Sequence, residues 1–362
     1  MSVFNSEKID IFSQNMFLGK PVNVSRNDIQ KHKVFENLTE KQIEFFWKPE
    51  KTNLLNDKKQ FRELTDHEQH IFISNLKYQT LLDSIQGRAP CQTFLEICSL
   101  PELENFIITW SFFETIHSRS YTHIMQNIFP NPSIIFDDIP IQKEIIDRAR
   151  PISGQYDKLK ELICQYKLGI LPDIQVLKKQ LYLTLIAVNI LEGIRFYVSF
   201  ACSFAFAQGK KVMEGNAKII SEIASDEALH LSATQHMINI IHRGKDDPDL
   251  LQISRDCKDE VIEMFRLAVD QEKEWAKYLF KDGSILGLNE SILISYLEYL
   301  CDIRLKAIGL PPLYKQTTNP LPWMTGWLMK NKKTVSPQET EIITYLQAKI
   351  KHDDGIITDI DL

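Results

Sequence analysis

Glu114, His117 and Tyr121 fall at i, i+3 and i+7 within the segment Trp110–His123. On a helix turning about 100° per residue, Glu114 and Tyr121 point within about 20° of each other, with His117 close to both. One stripe then carries a carboxylate, an imidazole and a phenol. A Glu-x-x-His pair lets a single helix offer an oxygen and a nitrogen to one metal site. Alone, the pair fits equally well on a solvated helix face as an ordinary Glu–His contact. The motif recurs more than a hundred residues later as Glu227-Ala-Leu-His230, directly after Asp226. Two copies so far apart predict two helices facing each other across a paired metal site.

Two further carboxylates stand where burial would penalise them. Asp83 lies among the apolar residues Ile71, Leu76, Leu81, Leu82 and Ile85, near a helix C-terminus. Burial and the helix dipole both disfavour a carboxylate there, and a nearby cation would remove the objection; a partly exposed Asp in the last turn is the alternative. Glu192 sits in the middle of a strongly apolar stretch, where it either pairs with Arg195 at i+3 or ligates a metal. The inventory is then Asp83, Glu114, His117, Glu192, Glu227 and His230, from four separate helices. Oxygen and imidazole without thiolate suit iron or manganese. Four carboxylates would also neutralise two divalent ions.

The elements that must position these groups read as helices. Residues 1–40 form an irregular arm with short helices. A helical stretch from Lys41 to Trp47 is stopped by Pro49, with Trp47 in an aromatic cluster whose simplest role is core packing. Asp66 is the candidate N-cap of a helix running to Gly87. Pro101 opens the helix that carries Glu114, which ends before Pro130. Residues 131–175 suggest a shorter helix pair broken by Pro151, Gly154, Gly169 and Pro172. A long helix from Gln175 to Gln208 is apolar nearly all round. Glu192 and Arg195 argue against a membrane span and for burial inside a bundle. Glu214–His242 carries the second motif, and helices follow near 249–280 and 289–308. After Pro320 the pattern fades, and 331–362 reads as a mobile tail. That tail keeps Tyr345, Leu346, Ile356, Ile357, Ile360 and Leu362, which suits a docking peptide as well as simple fraying.

Composition excludes several classes. A net charge of −6 gives no basic footprint for nucleic acid. The six cysteines contain no C-x-x-C pair and no tight framework, so a reduced cytoplasmic compartment is expected. The N-terminus has no basic-then-apolar signal pattern.

The chain resembles the radical-generating small subunit of class I ribonucleotide reductases, most closely the Ia type of enteric bacteria. The resemblance spans nearly the full length and is densest at His70–Arg88, Glu114–His123, Ile194–Ala207 and Asp226–His230. It implies an all-α, ferritin-like bundle holding two iron ions per chain, with manganese as the alternative metal. It also implies reaction with O2 that oxidises Tyr121 to a stable neutral radical, inside an apolar pocket that includes Phe196, Phe200 and Ile223. Trp47 and Asp226 match members of the family's radical relay, Asp226 also orienting His117, and Tyr345 matches its interface tyrosine. The implied partners are a second copy of the chain and a large catalytic subunit that docks the C-terminal peptide. There ribonucleoside diphosphates would be reduced with electrons from thioredoxin or glutaredoxin. Ile360 replaces the aromatic often found third from the end. The 165–178 connection is too short for the β-hairpin that some relatives insert. The expected layout is a bundle with its arm over 1–330 and a docking tail over 331–362. The rival readings are a di-iron oxygenase with a structural Tyr121, and a metal-storage bundle.

Overall fold

The computed structural model describes residues 5–328, so the expectations for Tyr345 and the 331–362 tail lie outside the described residues. Within them the chain is helical, with two isolated bridges and no strand. In chain order the helices are α1 (Lys33–Glu44), α2 (Leu55–Glu63), α3 (Asp66–Gln86), α4 (Ala89–Gln92), α5 (Pro101–Ile128), α6 (Pro132–Asp138), α7 (Lys143–Lys167), α8 (Ile174–Ile190), α9 (Phe196–Ala205), α10 (Glu214–His242), α11 (Pro248–Asp256), α12 (Lys258–Phe280), α13 (Glu290–Ala307) and α14 (Met324–Leu328). Helices α8 and α9 are one rod, joined by a π turn at Leu191–Arg195 and extended by another at Phe206–Lys210.

This rod, Ile174–Lys210, is long and apolar enough to cross a membrane, but 94% of its most apolar window is buried by other helices. It is the core helix of the bundle. Helix α7 packs along its first half, α3 along α9, and α10 against both α8 and α9; α5 lies against α3, α1 and α10. The helices that carry the two motifs therefore touch each other, with the rod and α3 closing the remaining sides.

Several boundaries differ from the sequence reading. Thr65, not Asp66, caps α3: the Thr65 N–H donates to Glu68 Oε2 at 3.0 Å, half of a capping box. Helix α1 starts at Lys33 and stops at Glu44, so Trp47 lies beyond it rather than in it. The expected break at Pro151 and Gly154 does not occur, and α7 runs straight through both. An internal proline costs about 3 kcal/mol, and burial of Ile145, Ala149, Ile152, Tyr156, Leu159 and Ile163 on one face offsets it. The expected helix at 249–280 divides at Cys257 into α11 and α12. The α7–α8 connection is the short stretch 168–173, with Gly169 at φ +69°, and holds no hairpin. Arg195 does not pair with Glu192; its Nη1 donates to Glu272 Oε1 of α12 at 2.6 Å, and Tyr78 donates to the same oxygen.

Candidate metal centre

Asp83 comes from the last turn of α3, Glu114, His117 and Tyr121 from the middle of α5, Glu192 from the π turn, and Glu227 and His230 from α10. All seven side chains are 0% exposed. The six other than Tyr121 are brought together as two overlapping groups, Asp83–Glu114–His117–Glu227 and Glu114–Glu192–Glu227–His230. Within each group one ligand atom per residue lies within 4.8 Å of the others. Glu114 and Glu227 belong to both.

The sharing has a simple geometry. Glu227 faces His117 Nδ1 with Oε1 at 3.1 Å and His230 Nδ1 with Oε2 at 2.7 Å. Glu114 does the same from the opposite helix, each of its two oxygens 3.3 Å from one imidazole. Two carboxylates thus span two imidazoles, with Asp83 Oδ2 3.9 Å from His117 Nδ1 on one side and Glu192 completing the other. Asp83 Oδ1 and Oδ2, Glu114 Oε2, Glu192 Oε2, Glu227 Oε1 and His117 Nδ1 are buried without a well-formed hydrogen bond. Unpaired buried carboxylate oxygens are costly. Their convergence on one point fits a pair of divalent cations, which would satisfy them all.

The electrostatics point the same way. Burial, reinforced by Glu114 and Glu227, holds the Asp83 carboxyl well above the usual carboxylate range; burial with Glu227 and Glu114 does the same to Glu192. Burial also works against a charge on Glu227, but His230 and His117 outweigh it and hold that carboxyl below its ordinary value. Burial opposes the charged form of His230, yet Glu227 and Glu114 raise it to about 9. His117 is raised too, against burial, by Glu227 and Asp226. Protons and metal ions answer the same excess of buried negative charge.

The outer nitrogens of the two imidazoles are held differently. His117 Nε2 lies 3.0 Å from Asp226 Oδ2, and Trp47 Nε1 donates to that same oxygen at 2.9 Å. The Trp47 and His117 rings are near-parallel at 6.2 Å. His230 Nε2 lies 2.8 Å from the amide of Gln42 on α1. His230 Nδ1 faces the carboxylates, so Nε2 carries the proton and the amide oxygen accepts it once Gln42 is assigned the flipped orientation. Gln86 donates through Nε2 to Glu192 Oε1 and accepts a hydrogen bond from Tyr156, and Trp110 Nε1 donates to Glu114 Oε1 at 2.9 Å. Tyr121 is fully buried, its hydroxyl unpaired, and burial followed by the Asp83 carboxylate keeps its proton on. Phe196, Phe200 and Ile223 are fully buried, and the two phenylalanine rings stack at 5.9 Å.

Sequence reasoning missed Gln42, Gln86 and Trp110. Each carried a signal. Gln42 continues the buried Phe35–Leu38 stripe at helical spacing, Gln86 is one turn after Asp83, and Trp110 one turn before Glu114.

A helical bundle with two overlapping carboxylate–histidine groups of this kind is a dinuclear metal protein of the ferritin-like class. The family model for the ribonucleotide reductase small chain matches residues 24–320. The chain is 52% identical to the ribonucleoside-diphosphate reductase subunit beta of Haemophilus influenzae and 50% identical to subunit beta of reductase 1 of Escherichia coli O157:H7, each match covering 96% of both chains. Identity to subunit beta of enterobacteria phage T4 is 44%, over 97% of this chain and 96% of that one. Among solved structures, the ribonucleotide reductase R2 subunit from Clostridium botulinum superposes with a TM-score of 0.77 at 26% identity, over 91% of this chain and 98% of that one. The chain belongs to the ribonucleotide reductase small-chain family, whose members work with a large subunit, and this favours the reductase reading over the oxygenase and storage alternatives.

Proposed function

We propose that Asp83, Glu114, His117, Glu192, Glu227 and His230 would hold two iron ions, with Glu114 and Glu227 belonging to both ligand groups, and that Tyr121 is the residue oxidised to a radical. The donor set accepts iron or manganese; iron is the metal that the sequence resemblance to the Ia type implies. A bound iron pair supplies the oxidising power of O2. The chain supplies the rest. Its apolar walls exclude water and reductants from Tyr121. Loss of an electron from a buried phenol must carry the Oη proton with it, because a charged ring there would have no partner. Asp83, the carboxylate acting most strongly on that hydroxyl, is the proton's acceptor in this reading.

The way out is the hydrogen-bonded chain His117–Asp226–Trp47, which ends at a half-buried indole. From there the reading continues through Tyr345 to the large subunit, with 1–330 as the bundle and 331–362 as its docking tail. The chain acts as a homodimer in the cytoplasm. The observation that carries the proposal is the pair of doubly shared glutamates beside a buried, unpaired tyrosine. Iron-loaded protein should show a tyrosyl signal by electron paramagnetic resonance. Tyr121→Phe should abolish that signal while two irons stay bound; a surviving signal removes Tyr121 from the mechanism. Tyr345→Phe should keep the radical and stop nucleotide reduction with the large subunit. Sedimentation should give twice the chain mass.

A further inference from the structure

Arg304 is buried, 2% exposed, on α13, a helix that contributes no group to the metal centre. Its Nε donates at 3.1 Å to the carbonyl oxygen of Gly193, the residue directly after Glu192. Gly193 is the middle residue of the π turn, in which Phe196 N–H reaches back five residues to Leu191 O. Such a turn carries one residue more than an α turn and leaves the local carbonyls less regularly paired. Reverting to α geometry would shift the register by one residue, about 100° of rotation on one side of the turn, and Glu192 would swing with it.

The packing is closed around this point. A methyl group on Gly193 would sit 2.9 Å from Leu231 Cδ1, 3.0 Å from Arg304 Cδ and 3.1 Å from Arg304 Nε. Leu231 follows His230 on α10, so the bare backbone of Gly193 lets the rod, α10 and α13 meet beside the carboxylate. The Arg304 guanidinium is fixed from its other side by the Tyr197 ring, 4.8 Å away.

We propose that Arg304 is a positioning residue for the metal centre: by holding the Gly193 carbonyl it keeps residues 191–195 in the π register and so keeps Glu192 on the second metal position. This rests on the reading of Glu192 as a ligand.

The test uses the full chain loaded with manganese(II) alone. Free ion is followed by its electron paramagnetic resonance, and the bound pair by its exchange-coupled spectrum. Unaltered protein should bind two ions as a coupled pair. Glu192→Ala is the control: if it still binds both ions tightly, the ligand reading fails. If Glu192→Ala loses one ion, Arg304→Met should weaken one of the two by about tenfold or more and remove the coupled spectrum. Gly193→Ala, which pushes Arg304 off the turn, should reproduce the loss, and adding it to Arg304→Met should cost little more. An Arg304→Met protein with two tight ions and an unchanged pair spectrum, even at a lowered melting temperature, would make Arg304 a packing residue only. Should Arg304→Met not fold, Gly193→Ala decides: loss of the coupled pair supports the proposal and its retention overturns it.

Discussion

The two Glu-x-x-His helices are alike in sequence and unlike in support. On α5, His117 is backed by the carboxylate of Asp226, which also accepts from Trp47. On α10, His230 is backed by the neutral amide of Gln42, and among the described residues Gln42 makes no hydrogen bond to a tryptophan or tyrosine. A carboxylate behind an imidazole raises its basicity and can take up charge; an amide fixes the ring and does neither. The near-symmetric pair of ligand sets is therefore placed in an asymmetric frame. One half is hydrogen-bonded out to a half-buried indole and the other ends at an amide.

The largest effect should come from the element the halves share. Glu227→Ala removes oxygens facing both imidazoles, so two-ion binding should disappear in a metal titration; retention of two tight ions would remove the bridging role. Next, Asp226→Asn and Gln42→Ala separate the halves. Changing a group hydrogen-bonded behind a metal-ligating imidazole costs about 10–100-fold in affinity or activity. Asp226→Asn should lose that much in nucleotide reduction with the large subunit while an iron-loaded radical still forms. Gln42→Ala should act on metal affinity instead, by about tenfold or less. Equal losses of turnover in the two variants would erase the distinction between them.

The pH dependence comes third. Burial raises Asp83 and Glu192, and the shared glutamates raise His230 to about 9 and His117 as well. These groups hold protons near neutrality that a metal must displace. Metal affinity should therefore climb with pH and level off as His230 titrates near 9. Competition titrations across that range, with proton release measured by calorimetry in two buffers, give the check; a flat profile contradicts it. The smallest effect serves as the control. Thr65→Ala removes the cap of α3 far from both imidazoles and should cost about 1 kcal/mol in urea unfolding. It should leave the ratio of the two metal affinities unchanged; a changed ratio would trace the asymmetry to general destabilisation.

Much of the site was legible because helical spacing is local. Glu114, His117 and Tyr121 share a stripe by arithmetic alone, and Asp83 and Glu192 stood out as charges in apolar surroundings. Helix ends were less legible. Pro151 and Gly154 read as breakers, yet the buried face of α7 overrode them, and Thr65 took the cap from Asp66 because Glu68 could reach back to it. Gln42 and Gln86 escaped notice because a glutamine on an apolar stripe declares its purpose only when its partner, a hundred or more residues distant for each, is seen.

By itself the chain's sequence determined which side chains could serve a metal pair, which helices bear them and which family the protein resembles, since composition and periodicity are properties of neighbouring residues. Tertiary structure alone decided which glutamates are shared, that Asp226 stands behind His117 while Gln42 stands behind His230, and that Arg195 leaves Glu192 for Glu272. Those choices depend on how helices distant in the chain pack and on a π turn inside one of them, and burial, not spacing, sets the energies that select among them.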